Sequence, residues 1–119
     1  MESTRTARFE GLLPAEVLAL PIVEIPIDGA TGFALADDEK QVVFFVFEEG
    51  VSFPDHSHCA QRGTVISGEM ILEVAGRTNL YQAGDHYHVP EGVAHRTVFS
   101  KRTVLVDMSD DPQRFQIRS

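Results

Sequence analysis

Short runs of hydrophobic residues separated by turn residues make up most of the chain from Ile22 onward. The runs are rich in β-branched and aromatic residues, a pattern typical of strands in an antiparallel β-protein. Strands are predicted over residues 22–27, 33–35, 42–48, 62–67, 69–74, 78–81, 86–89, 95–99 and 103–107. Turn residues such as Asp28-Gly29 and Ser67-Gly68 lie between them. Because long helical periodicity is absent, the pattern predicts an all-β sandwich or barrel.

The first 20 residues form a mixed polar and apolar segment whose structure the sequence leaves open. The stretch from Leu12 to Leu20 fits either one helical turn after Pro14 or an extended arm. Pro14, Glu16 and Pro21 interrupt the apolar run from Leu12 to Val23, so the N-terminus has the features of neither a signal peptide nor a membrane-spanning helix. We therefore expect a cytoplasmic protein that does not associate with membranes.

Length and charge limit the classes of function. A chain of 119 residues fits one domain over residues 1–119. Its 18 acidic and 10 basic residues give a formal charge of −8, which repels phosphate backbones, so nucleic-acid binding is not expected. The one cysteine, Cys59, cannot form an internal disulfide.

The histidines are concentrated in one part of the chain, because all five lie between positions 56 and 95. In an extended segment His56 and His58 point to the same side, with their Cα atoms about 7 Å apart. Two imidazoles in this arrangement can bind one metal ion, and neutral imidazole suits Zn, Fe, Ni and Cu. The alternative is a pair of solvated histidines on an exposed strand.

The glycines and prolines around these histidines have a characteristic spacing. Gly50 lies six positions before His56, and Gly68 lies seven positions after Gln61, in the stretch GVSFPDHSHCAQRGTVISG. This stretch resembles the first motif of the cupin family, G-x5-H-x-H-x3,4-E-x6-G. Further along, GDHYHVPEGVAH resembles the second cupin motif, G-x5-P-x-G-x2-H, which ends at His95.

The resemblance implies a fold and a metal site. The expected fold is a cupin-type double-stranded β-helix, or jelly-roll barrel, with its conserved core over residues 42–107 and an N-terminal arm over residues 1–30. The implied ligands are His56, His58, Gln61 and His95, holding one divalent transition metal ion (Fe, Mn, Zn or Ni) inside the barrel. Cupins commonly pair through sheet edges and N-terminal strands, so a homodimer is also implied.

Two departures from the family pattern change the expected chemistry. Gln61 occupies the place of the usual Glu, after a shortened loop. Three imidazoles and an amide oxygen leave the charge of the cation uncompensated, which favours an anionic small-molecule ligand. Alternatively, Gln61 only hydrogen-bonds nearby backbone and the metal has three His ligands. Phe99 replaces the Asn of the second motif, and is expected either to line the cavity on the side of His95 or to serve only as core.

The remaining candidates are polar residues beside the motifs. His86 and His88 share one side of a predicted strand, and Tyr87 lies on the other. All three are candidates for proton transfer, although His86 and His88 equally fit a solvated face. Arg62 and Arg96 are expected to point outward and pair with surface carboxylates. Cys59 is expected to face away from the metal. At least one side of the strand that contains Phe44, Phe45 and Phe47 is expected to pack against another layer or subunit.

The cupin barrel hosts many activities, so two main hypotheses remain. The first is a metal-dependent enzyme of the dioxygenase, isomerase, lyase or decarboxylase type, acting on a small anionic or sugar-derived metabolite. The second is a non-catalytic small-molecule binding or sensing cupin that uses the same metal site. A third, weaker hypothesis is a structural protein with vestigial ligands.

Overall fold

The structure is a computed structural model that describes residues 7–56 and 59–118, and at residues 7 and 54–56 the backbone alone. A 3-10 turn spans Ala7–Phe9, and one helical turn, α1, spans Ala15–Leu18. The strands are β1 Ala30–Ala36, β2 Gln41–Phe47, β3 Ser52–His56, β4 Gln61–Ser67, β5 Glu69–Val74, β6 Arg77–Gln82, β7 His86–Val89, β8 His95–Val98 and β9 Thr103–Ser109. Within the described ranges, no helix has the length and apolar character needed to cross a membrane.

The strands form two antiparallel sheets, which confirms the predicted all-β class. One sheet has the order β1-β2-β9-β4-β7, and the other has the order β3-β8-β5-β6. The tight turn at Ser67-Gly68 carries the chain from one sheet to the other. Gly68 has a φ of +87°, and a Cβ there would lie 2.4 Å from the carbonyl oxygen of Arg102, so this turn requires glycine.

The core fills the space between the sheets. Phe45 and Phe47 from β2 point into it, and Phe47 stacks on Phe99 with 4.1 Å between ring centroids and 9° between ring planes. The remaining members of this cluster include Val43, Val65, Met70, Leu72, Val89 and Leu105. Because Phe99 is 1% exposed, it belongs to the core.

A second cluster covers the outer face of the larger sheet. Phe9 and Leu13 of the N-terminal segment pack with Phe33, Val46 and Val104, and the half-buried Phe44 packs against them. The aromatic run in β2 therefore has both sides covered, as expected, and on the outer side the covering layer comes from the same chain.

Two segments differ from the strands predicted. Residues 22–27 form only isolated bridges, in which Ile22 pairs with Phe33 and Val23 with Ile117, because Pro21 before the segment and Pro26 within it cannot donate to a strand ladder. Conversely, β3 was not among the predicted strands. Its pairing with β8 is irregular between Phe53 and His56, which explains why its sequence shows no alternation.

Candidate functional site

A small cavity of about 40 Å³ lies between the two sheets. This exceeds the roughly 10–15 Å³ that one water molecule needs, so an ion and a small ligand group can enter. Most of its wall is aromatic or aliphatic. The polar residues on the wall are Gln61, Tyr87, His95, Thr97, Asp107 and Arg114.

Gln61 lines this cavity and has a buried oxygen without a donor among the described residues. The residue begins β4 and is 7% exposed. Its Nε2 donates a hydrogen bond to Asp107 Oδ2 at 3.2 Å, whereas no donor among the described residues reaches the buried Oε1. An orphaned buried acceptor costs about 1–3 kcal/mol, so Oε1 is suited to a cation in the cavity. Its partner is a side chain in β9, in contrast to the backbone contact considered as the alternative.

His95 lies on the same cavity wall. It begins β8, is 2% exposed, and its Nδ1 lies 3.1 Å from the carbonyl oxygen of Val93. A carbonyl only accepts, so Nδ1 donates this bond, and the neutral tautomer that does so has its acceptor nitrogen at Nε2. A backbone hydrogen bond of this kind commonly orients histidines that bind metals.

The other two proposed ligands are only partly covered by the structure. The backbone of His56 pairs directly with His95 across β3 and β8, whereas the side chain of His56 and the whole of His58 lie outside the described part. Among the side chains that are described, no three His, Cys, Asp or Glu residues form a metal-binding group. The structure therefore brings Gln61 and His95 to one cavity, and this donor pair fits a divalent transition metal.

A buried polar cluster adjoins Gln61. Asp107 is 2% exposed and accepts a hydrogen bond from Tyr87 Oη at 2.5 Å and one from Arg114 Nη1 at 3.1 Å. Burial raises the pKa of Asp107, while Arg114 and the Tyr87 hydrogen bond act in the opposite direction. Burial, reinforced by the charge of Asp107, also raises the pKa of Tyr87 well above its ordinary value.

Gly63 makes the contact between Tyr87 and Asp107 possible. In the larger sheet Gly63 pairs with Tyr87 on one side and with Asp107 on the other. A Cβ at Gly63 would lie 2.5 Å from Tyr87 Oη and 2.5 Å from the carbonyl oxygen of Val106. The missing side chain thus lets the Tyr87 hydroxyl reach across β4.

The C-terminal segment positions Arg114 at the cavity wall. Gln41, at the start of β2, donates to the carbonyl of Phe115 at 2.9 Å and accepts from the amide of Phe115 at 3.1 Å. The Arg114 guanidinium lies 4.6 Å from the centroid of the Phe115 ring. The sequence analysis did not identify Asp107 or Arg114 as site residues. Asp107 lies two positions after the apolar Leu105, so strand alternation places both on the same face of β9, and this was a signal of a charge on the inward side.

The three candidates for proton transfer separate into two groups. Tyr87 is buried and lines the cavity, whereas His86 and His88 are exposed on the opposite face of β7. His86 Nδ1 lies 2.7 Å from Thr64 Oγ1 on that outer face. The structure therefore does not bring His86 and His88 to the cavity.

Other residues beside the motifs can be compared with the expectations. Arg62 and Arg96 point outward and contact Asp110 and Glu73 at 3.5 and 3.8 Å, as predicted. Phe99 lines the cavity and also belongs to the core, so the first of the two alternatives stated for it holds. Cys59 is half-buried, and its orientation away from the metal stays a prediction.

Solved structures of cupins share this architecture. A RmlC-like cupin from Shewanella frigidimarina is 28% identical, with a TM-score of 0.74 over 86% of this chain and 90% of that one. KdgF from Halomonas sp. is 21% identical, with a TM-score of 0.70 over 77% of this chain and 88% of that one. Bacillus subtilis oxalate decarboxylase, studied for its Mn(II) centres, is 20% identical, with a TM-score of 0.67 over 82% of this chain and 29% of that one. The last two show a shared fold only.

Sequence comparison gives the family. Curated proteins provide no match to the chain. The family model described as "Cupin domain" matches residues 43–108, which is more than half of the chain and includes Gln61, His95 and Asp107. With the two antiparallel sheets around one cavity, this match shows that the chain belongs to the cupin family.

Proposed function

We propose that the protein binds one divalent transition metal ion (Fe, Mn, Zn or Ni) through His56, His58, Gln61 and His95. The proposed activity is that of a metal-dependent enzyme acting on a small anionic or sugar-derived metabolite. The observation that carries the metal site is the buried Oε1 of Gln61, which lacks a donor among the described residues and belongs to a side chain that lines the same cavity as His95. The oxalate decarboxylase that shares this fold has Mn(II) centres, which supports a metal ion in this kind of barrel.

The charge of the cavity supports an anionic substrate. The four proposed ligands are neutral, so none of them offsets the two positive charges of the ion. On the wall, the negative charge of Asp107 is paired with the positive charge of Arg114. The cavity with its ion therefore has a net positive charge, which attracts a carboxylate or enolate oxygen.

The buried polar cluster supports catalysis over simple binding. The ion, when bound, would polarise a carbonyl or stabilise an enolate. Tyr87 holds a proton at Oη because its pKa is raised, and it shares this proton with Asp107. The raised pKa of Asp107 makes it a stronger base than an ordinary aspartate, so this pair can accept or return a proton at the cavity wall.

One observation favours the alternative of a non-catalytic binding or sensing cupin. His86 and His88 lie outside the cavity, and most of the wall is apolar. Incubation of the metal-loaded protein with a panel of small hydroxy and keto acids, followed by NMR, separates the two. A product whose formation requires Tyr87 supports the enzyme, whereas saturable binding without conversion supports the binder.

Elemental analysis tests the metal site itself. Protein is purified without chelators or immobilised-metal resin, as wild type, His58→Ala and His88→Ala. His88→Ala is the matched control, because it removes an exposed histidine on the outer face of β7. We expect about one equivalent of metal in the wild type and the control, and none in His58→Ala. Equal metal in all three proteins, or none in the wild type, would contradict the proposal.

The homodimer and the cytoplasmic location stay proposals. The N-terminal segment packs on its own barrel through Phe9 and Leu13, and its contribution to a dimer as an arm stays a proposal. Half-exposed Leu35 and Ile117 border a groove beside β1 and give a second copy an apolar surface. Light scattering coupled to size-exclusion chromatography measures the mass, and a monomer at micromolar concentration would contradict the dimer.

A further inference from the structure

We infer that Asp107 is the positioning residue that makes Gln61 an oxygen ligand. The four ligands carry no negative charge, and Asp107 provides one that is joined to the ligand Gln61 by a hydrogen bond. The inference rests on the proposed metal site. It adds a residue outside both sequence motifs and explains how a barrel with Gln in place of Glu presents a metal-binding oxygen.

The orientation of the Gln61 amide follows from its partner. A glutamine amide carries one donor end and one acceptor end, which one rotation by 180° about the Cγ–Cδ bond interchanges. Asp107 Oδ2 lies 3.2 Å from Nε2 and, as a carboxylate oxygen, only accepts. The opposite orientation would place Gln61 Oε1 against that oxygen, so the carboxylate selects the orientation in which Oε1 points away from it.

Asp107 is itself held in one position. Tyr87 Oη donates to Oδ2, and Arg114 Nη1 donates to Oδ1 at 3.1 Å. Both oxygens of the carboxylate are thus engaged, and Asp107 is 2% exposed. A carboxylate fixed in this way cannot turn to bind the ion in place of Gln61, so its charge acts through the amide.

The test is a double-mutant cycle on metal affinity, with Zn²⁺ as the probe in equilibrium dialysis of the full chain. Asp107→Asn keeps the shape but offers an amide, whose NH₂ group then selects the opposite orientation of Gln61. We expect Zn²⁺ affinity to fall about 10–100-fold, the usual effect of losing a group that orients a ligand. Asp110→Asn is the matched control, because it removes an exposed carboxylate paired with Lys40 and Arg62 and leaves affinity unchanged.

Gln61→Glu completes the cycle. Glutamate has acceptors at both ends, so in the Asp107→Asn background one oxygen accepts from the new amide and the other faces the ion. With Asp107 intact, the two carboxylates oppose each other. The gain in affinity on Gln61→Glu should therefore be at least about tenfold larger in the Asp107→Asn background than in wild type. Additive effects, or an Asp107→Asn variant with wild-type affinity, would overturn the inference.

A second measurement on the unmutated protein keeps the inference testable if Asp107→Asn does not fold. NMR of the metal-free chain follows the side-chain NH₂ protons of Gln61, with exposed Gln116 as the internal control. One Gln61 proton should exchange with water at least about tenfold more slowly than those of Gln116, because it is bonded to a buried carboxylate. Equal exchange would refute the orientation. Failure of the wild type to bind any Zn²⁺ would instead refute the proposed metal site.

Discussion

The hydroxyl of Tyr87 links two strands of the larger sheet through a buried carboxylate, so its removal should have a measurable cost. In Tyr87→Phe the ring keeps its place, but Asp107 Oδ2 loses the donor at 2.5 Å. Hydrogen bonds to charged groups contribute about 1.5–3 kcal/mol, and both residues are almost fully buried, so this range applies without discount for solvent. For a chain of this length, about 4 °C per kcal/mol gives a decrease in Tm of roughly 6–12 °C.

The pH dependence of this loss provides a sharper test. Burial and the charge of Asp107 raise the pKa of Tyr87, so the folded chain keeps a proton that the unfolded chain loses above about pH 10. The contribution of Tyr87 is therefore complete below pH 10 and falls above it, by up to about 1.4 kcal/mol per pH unit. The difference in unfolding free energy between wild type and Tyr87→Phe should shrink as the pH rises from 9 to 11.

The assay is urea unfolding of the metal-free proteins followed by circular dichroism, at pH 7 and then between pH 9 and 11. Tyr81→Phe is the control, because Tyr81 packs edge-to-face against Tyr87 with 6.1 Å between centroids and leaves the contacts of Asp107 intact. A Tyr87→Phe variant within about 0.5 kcal/mol of wild type at pH 7 would refute the reasoning. So would a difference that stays constant up to pH 11.

Three further substitutions test the packing around the site. Phe99→Ala should destabilise the fold by about 3–5 kcal/mol in urea unfolding, because the ring is 1% exposed and stacked; a loss below about 1 kcal/mol would contradict its core role. Gly63→Ala should lower the free energy of unfolding by about 1–3 kcal/mol and break the Tyr87 hydrogen bond, since the added Cβ would lie 2.5 Å from Tyr87 Oη. If Tyr87→Phe destabilises the Gly63→Ala variant as much as it destabilises the wild type, this prediction is wrong. Gln41→Leu should speed hydrogen exchange at the Phe115 amide by at least about tenfold, because both bonds to that residue are lost; unchanged protection would exclude Gln41 as the anchor of the C-terminal segment.

The sequence predicted most of the barrel because its signals are local. The strands at Glu69–Val74 and His86–Val89 have the predicted bounds, since each is a short alternating run between turn residues. Glycine spacing likewise located Gln61 and His95, which the structure brings to one cavity. The prediction of a strand over residues 22–27 was wrong, because the pairing of this segment depends on contacts with distant parts of the chain and is interrupted by Pro21 before it and Pro26 within it.

The polar cluster could not be predicted, because long-range packing creates it. Arg114 lies in a segment without motif or periodicity, and only the Gln41–Phe115 contact brings it to Asp107. Alternation in β7 showed that Tyr87 and the two histidines face opposite sides, but it did not show which side is inward. The burial of Tyr87 depends on Gly63 in a neighbouring strand, and a pattern within one strand carries no information about that neighbour.

Anomalous X-ray diffraction at the absorption edge of the bound metal tests the central claim most directly. Crystals of protein purified with its own metal would locate the ion without any assumption about its ligands. The account predicts one ion inside the barrel, about 2.0–2.2 Å from Gln61 Oε1 and from a ring nitrogen of His95. An ion bound outside the cavity, or one inside it with Gln61 Nε2 turned toward it, would contradict the account.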